Sequence, residues 1–182
     1  MTRLLLVRHA EPAASWQEHD DPGLSARGRH QAAELVAGLG DAAPPVVVSS
    51  PLARARETAA AFTEGKAESP RIEPGVGEIP TPAGRRADRA AWLQETMGRR
   101  WGDVDVDTRA WRDRVLETLG GMAEDAVIVT HFVAVNVAVG ATNEDDQVWC
   151  CSPAHCSVTE LEVDHGVLTL LRRGAEAEPQ VR

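Results

Sequence analysis

"LLLVRHAEP", residues 4–12, runs a block of strand-forming aliphatics straight into an arginine, a histidine and a glutamate. Apolar residues in succession, without helical period, read as a strand covered on both faces. Arg8 and His9 are costly to bury without partners, so their place at the end of such a strand asks for a chemical reason.

The same pattern recurs twice. "VVV", 46–48, and "AVIVT", 126–130, are short apolar runs, and each also ends in polar residues: Ser49 and Ser50 after the second run, Thr130 and His131 after the third. Between the first two lies "SARGRHQAAELVAGLG", with Ala32, Leu35, Val36 and Leu39 at helical spacing and glycines at its end. "PLARARETAAAF" predicts a second helix starting at Pro51, and a third is expected from Thr108 to Met122 with Trp111, Val115, Leu116 and Leu119 on one stripe. Near the C-terminus, "SVTELEV" and "VLTLLRR" flank Asp164-His165-Gly166 as a hairpin would. Alternating strands and helices define an α/β chain.

The stretch from about 75 to 107 is different in character. A glycine- and proline-rich loop leads into "RRADRAAWLQETMGRRW", read as a helix with Ala90, Leu93 and Met97 inward and arginines outward. This reading makes residues 1–182 one domain with a cap insertion over its crevice. Arg85, Arg86, Arg89, Arg99 and Arg100, together with Trp92 and Trp101, could meet a ring or a second anionic group there. A solvated arginine face over a tryptophan core is the plainer reading of the same residues.

The chain's 182 residues, 43% hydrophobic and 26% charged, suit a folded globular protein with a sizeable core. A net charge of -9 argues against nucleic acid as a partner, because phosphate backbones are held by clustered positive charge. The 19 basic residues, nearly all arginine, suit local recognition of phosphate or carboxylate oxygens. The apolar run at the N-terminus is far shorter than a signal-peptide core or a membrane span, so a cytoplasmic protein without membrane association is expected. Cys150, Cys151 and Cys156 with His155 match no usual zinc spacing and read as reduced thiols.

In an open parallel sheet, ligands lie beyond the carboxyl ends of the strands. Arg8, His9, Ser49, Ser50, Arg54, Thr130 and His131 should therefore meet in one crevice. Singly, His9 or His131 could be a structural histidine, Arg8 a surface ion-pair residue and Arg54 part of a polar helix face. Their joint occurrence at strand ends favours chemistry.

"LVRHAEP", "GLSARGRHQA", "SSPLARARETA" and "VIVTHFVAVN" together resemble, in order, the signature of the histidine phosphatase superfamily, also called the phosphoglycerate mutase-like family. The resemblance implies a three-layer sandwich with a mostly parallel central sheet flanked by helices. It implies that His9 is the nucleophile forming a phosphohistidine, that Arg8 and Arg54 grip the phosphoryl oxygens, and that His131 stabilises the transferring group. Glu78, in "PGVGEIPTPAG", best matches the family's proton donor, with Glu73 nearby. No metal or other cofactor is implied.

The chain departs from the common pattern at three places. Ser15 stands where many relatives carry an asparagine that touches phosphate, Phe132 follows the second histidine where glycine is frequent, and Ile79-Pro80 follow Glu78. Ser15, His19 and Phe132 are accordingly further candidates for substrate contact. Mutases of the family are generally longer, so hydrolysis of a small phosphorylated metabolite is expected. A phosphoglycerate mutase-type transferase and a non-catalytic phospholigand-binding member are the alternatives within the family. A metal hydrolase built on His19, Asp20 and Asp21 is a rival outside it, disfavoured because Pro22 and Gly23 break any helix there. Trp149 offers an apolar contact for a homodimer, which no sequence pattern demands.

Overall fold

Successive side chains of a strand face opposite ways, and two separate cores follow from that in the first strand. In the computed structural model, which describes residues 1–15 and 19–177, Leu4 and Leu6 enter one hydrophobic core while Leu5 and Val7 enter another. All four side chains are 0–1% exposed, and each such burial is worth about 1.5–3 kcal/mol.

The strand is β1 (Thr2–Arg8). After it come α1 (Ala26–Leu39), β2 (Val46–Ser49), α2 (Ala53–Thr63), β3 (Arg71–Ile72), α3 (Arg89–Met97) and α4 (Val106–Gly120). The chain continues through β4 (Ala126–Thr130), α5 (Phe132–Thr142), β5 (Val158–Asp164) and β6 (Val167–Arg172). The sheet order is β3-β2-β4-β1-β5-β6. β1, β2, β3 and β4 are mutually parallel, and β5 and β6 add an antiparallel edge.

Helices cover both faces, giving the expected three layers. Ala55, Ala59 and Phe62 of α2 and Leu35, Val36 and Leu39 of α1 pack on the Leu5 side. Trp92, Trp111, Val115, Leu119 and the valines of α5 pack on the Leu4 side. β4 lies in the centre with every residue buried, which is why "AVIVT" carries no polar alternation.

The local signals act where expected. Ser25 caps α1 by accepting the Gly28 N–H at 2.9 Å. Gly28 is required by packing, since a Cβ there would run into the carbonyl oxygen of Glu11. At the hairpin, His165 and Gly166 adopt φ of 49° and 83°, the left-handed pair that a tight two-residue turn needs.

Three local expectations are corrected, and one strand appears that none foresaw. α2 starts at Ala53, two residues after Pro51, because Pro51 and Leu52 turn the chain out of β2. β3, only two residues long, had no sequence signal and is held by pairing with Val48 and Ser49. In α3 the buried face is Trp92 and Thr96, while Ala90 points outward, because the larger indole claims the core. Trp92 and Trp101 are 6% and 2% exposed, so neither offers a ring face to a ligand: the tryptophan-core reading holds.

Candidate active site

β2, β4 and β1 are neighbours, and their carboxyl ends are level: Arg8 pairs with Thr130 and Ser49 with Val129. Residues just beyond these ends therefore meet, although Arg8 and His131 lie far apart in the chain. The His9 amide donates to the Thr130 carbonyl at 2.9 Å and the Ser50 amide to that of Val129 at 3.0 Å. Backbone pairing thus carries the sheet's rigidity one residue into the crevice.

His9 is 4% exposed. Its Nδ1 lies 2.7 Å from the Ala10 carbonyl, an acceptor only, so Nδ1 carries the proton and Nε2 the lone pair. Arg54 Nε donates to that lone pair at 3.1 Å. Burial, reinforced by the Arg54 charge, holds the His9 imidazole well below the usual histidine range, so it is neutral at neutral pH.

Arg54 is the hub. Its Nη2 donates to Glu78 Oε2 at 3.4 Å and to His131 Nδ1 at 3.3 Å, while Nη1 lies 3.8 Å from Asp21 Oδ1. The guanidinium is 1% exposed, and Nη1 has no hydrogen-bond partner. Thr58 fixes the helix behind it, donating to the Arg54 carbonyl at 2.7 Å and accepting the Ala10 amide at 3.0 Å. The threonine of "SSPLARARET" is thus a strut between α2 and the loop after β1.

His131 is completely buried, and its Nε2 lies 2.7 Å from Ser50 Oγ. Because Nδ1 accepts from Arg54, Nε2 is the protonated nitrogen and donates to the serine. Burial, with His9 and Arg54 adding to it, keeps this imidazole neutral as well. Its ring meets that of His9 edge-on with centroids 5.2 Å apart.

Glu78 reaches the cluster from the segment after β3. Oε1 accepts its neighbour Ile79's amide at 3.0 Å, and Oε2 lies 3.5 Å from His131 Nδ1 as well as facing Arg54. Burial raises its pKa, opposed chiefly by Arg54. Glu73, the other acid considered, is turned away and caps its own turn through the Gly75 amide.

Arg8 donates from Nη1 to the Pro153 carbonyl at 2.8 Å, and its guanidinium lies 5.2 Å from the centre of the Phe132 ring. Its Nε is buried without a partner, like Nη1 of Arg54. Burial lowers its pKa to about 10, with Glu78 opposing, so the charge persists at neutral pH. One buried and one partly buried cationic fork, each with a buried unmet N–H, beside neutral imidazoles form a site suited to an anion.

Two further residues join the site, both of which the sequence had offered only in metal-ligand readings. Asp21, on the "EHDDPG" loop, accepts the Ala53 amide at 2.9 Å and so braces α2 beside Arg54. His155 packs its ring 5.7 Å from that of His9. It is aimed there by Cys156, at φ 57°, whose amide donates to the Arg8 carbonyl at 3.0 Å. Ser15 and His19 are exposed, joined by a bond from the His19 amide to the Ser15 carbonyl, and His19 Nδ1 accepts the Asp21 amide within its own loop. Among the described residues no group of three or more His, Cys, Asp or Glu side chains is disposed to hold a metal ion, and no helix is long and apolar enough to cross a membrane.

This crevice sits in a chain whose residues 4–176 match the sequence pattern of the histidine phosphatase superfamily, branch 1. The protein belongs to that superfamily. Solved structures share its fold at low identity. An α-ribazole-5'-phosphate phosphatase of Escherichia coli, described as putative, is 20% identical with a TM-score of 0.74, covering 97% of this chain and 98% of that one. A mycobacterial glucosyl-3-phosphoglycerate phosphatase is 24% identical with a TM-score of 0.69, covering 97% and 100%. The phosphoserine phosphatase of Entamoeba histolytica is 18% identical with a TM-score of 0.71, covering 96% and 98%. No curated protein matches the sequence.

Proposed function

We propose that the protein is a phosphomonoester hydrolase acting on a small phosphorylated metabolite through a phosphohistidine intermediate. The observation that carries this reading is the convergence on Arg54 of His9, His131 and Glu78, each within 3.5 Å of its guanidinium nitrogens.

Substrate phosphate enters between Arg8 and Arg54, whose unmet N–H groups take its oxygens. The phosphate draws the Arg54 donors to itself and frees the Nε2 lone pair of His9. Nε2 attacks phosphorus, an N–P bond forms and the ester P–O bond breaks. The departing oxygen takes a proton from Glu78, which burial keeps protonated to higher pH than an ordinary carboxyl. Arg8, Arg54 and His131 stabilise charge on the equatorial oxygens. In the second half, Glu78 takes a proton from water, the water oxygen bonds to phosphorus, and the N–P bond breaks to release phosphate and neutral His9. No step calls for a metal, and a cytoplasmic location suits a substrate of this class.

Hydrolysis of p-nitrophenyl phosphate in EDTA, compared between wild type and His9→Ala, tests the reading. Activity that survives chelation and vanishes in the variant supports it. Activity retained by His9→Ala overturns the choice of nucleophile, and none in wild type overturns hydrolysis of simple phosphomonoesters.

A further inference from the structure

Once phosphate is fixed between Arg8 and Arg54, the rest of a substrate lies beside these arginines. An aromatic pair stands next to Arg8. Phe132, directly after His131, carries the Arg8 guanidinium over its ring, and Trp149 meets the edge of Phe132 with centroids 6.1 Å apart.

Trp149 is 52% exposed, whereas Trp92, Trp101 and Trp111 are 6% exposed or less. It is the one aromatic side chain on the exposed surface among the described residues. An indole left half in water is not serving the core.

The loop bearing it is held firmly. The Trp101 amide donates to the Asp146 carbonyl at 2.9 Å and the Val148 amide to that of Arg99 at 3.0 Å. Asn136 Oδ1 accepts both the Cys150 and Cys151 amides at 2.8 Å, and Trp149 Nε1 donates to Ser152 Oγ at 3.2 Å. The backbone around the indole is therefore anchored, its N–H is already engaged, and about half of its surface is left for apolar contact.

We propose that Phe132 and Trp149 form a leaving-group subsite for phosphomonoesters whose uncharged part carries a flat apolar or aromatic ring. The phosphate's charge has no complement on these rings, so they meet the ester group. The proposal rests on the phosphate-site reading above, and it moves ring recognition from the buried Trp92 and Trp101 to Phe132 and Trp149.

Binding of phenylphosphonate and methylphosphonate, measured by calorimetry, tests the subsite without any need for turnover. Phenylphosphonate should bind about five- to tenfold more tightly than methylphosphonate, as one ring contact implies. Trp149→Ala should erase that ratio and Trp149→Phe should keep most of it. An equal ratio in wild type and Trp149→Ala overturns the subsite. Loss of a dimer in Trp149→Ala on sedimentation, with the ratio unchanged, assigns the indole to a contact between copies and likewise overturns it. Absence of binding by both phosphonates would instead count against the phosphate site itself, and with it the proposal.

Discussion

Arg54 Nε donates to His9 Nε2 across 3.1 Å, so in the resting protein the lone pair that would attack phosphorus is already engaged. The same guanidinium serves Glu78 and His131. A planar fork can satisfy these directions at once, and a lysine ammonium cannot. Arg54→Lys should therefore lower kcat/KM on p-nitrophenyl phosphate by about 10²–10³, the loss seen when one fixed donor to developing charge is removed. A fall of less than tenfold would show that only the charge of Arg54 matters.

Burial raises the Glu78 pKa above the ordinary carboxyl value, against the pull of Arg54. In the proposed role of proton donor its acid form is the active one, so kcat on an alkyl phosphate should decline as pH rises through the raised pKa. Glu78→Gln should cut that activity by about 10²–10³, the contribution typical of a positioned general acid. Nitrophenolate leaves without protonation, so the loss on p-nitrophenyl phosphate should be much smaller. Equal losses on both esters would remove Glu78 from the role of proton donor.

His155 is pushed down to about 4 from 6.5, by burial first and then by Arg8, while Glu11 opposes and Arg27 adds to the shift. Its folded pKa lies below its unfolded one, so the contribution to stability is whole above pH 6.5 and is lost as pH falls toward 4. His9 and His131 act in the same direction. Melting temperatures followed between pH 7 and 4 should therefore fall more steeply for wild type than for His155→Gln. Parallel curves would mean that His155 titrates normally in the folded protein.

Gly28 sits in the first turn of α1 against the backbone of Glu11, whose carbonyl accepts the Ser25 amide at 3.0 Å. Gly28→Ala gains helix propensity yet must push backbone aside, and overpacking of this kind costs about 1–3 kcal/mol. Urea unfolding should show that loss. An unchanged or raised midpoint would mean the loop after β1 gives way freely.

Much of this protein was legible along the chain. The buried strands announce themselves by unbroken aliphatic runs, and α1 and α4 by helical spacing. Arg8, His9, Arg54 and His131 could be placed together in advance because each ends or follows a strand and parallel topology sends such residues to one end, whereas Glu78 was expected beside them only through the family resemblance. The long stripe Trp111, Val115 and Leu119 was likewise readable, since periodicity over several turns outweighs local noise. Where the signal was short, it failed. β3 has two residues, and Ala90 lost its inward place to Trp92 within a helix of nine.

The sequence by itself determined which residue types end the strands, and with them the family, because strand and helix patterns are written in near neighbours. Only the tertiary structure decided the protonated nitrogens of His9 and His131, the raised pKa of Glu78, the brace from Asp21, the approach of His155 and the exposure of Trp149. The physical reason is common to all of them. Tautomer, pKa and accessibility are set by what stands within a few ångströms, and here most of those neighbours, the Ala10 carbonyl beside His9 excepted, come from strands, loops and helices tens to more than a hundred residues away, joined by the register of β2, β4 and β1.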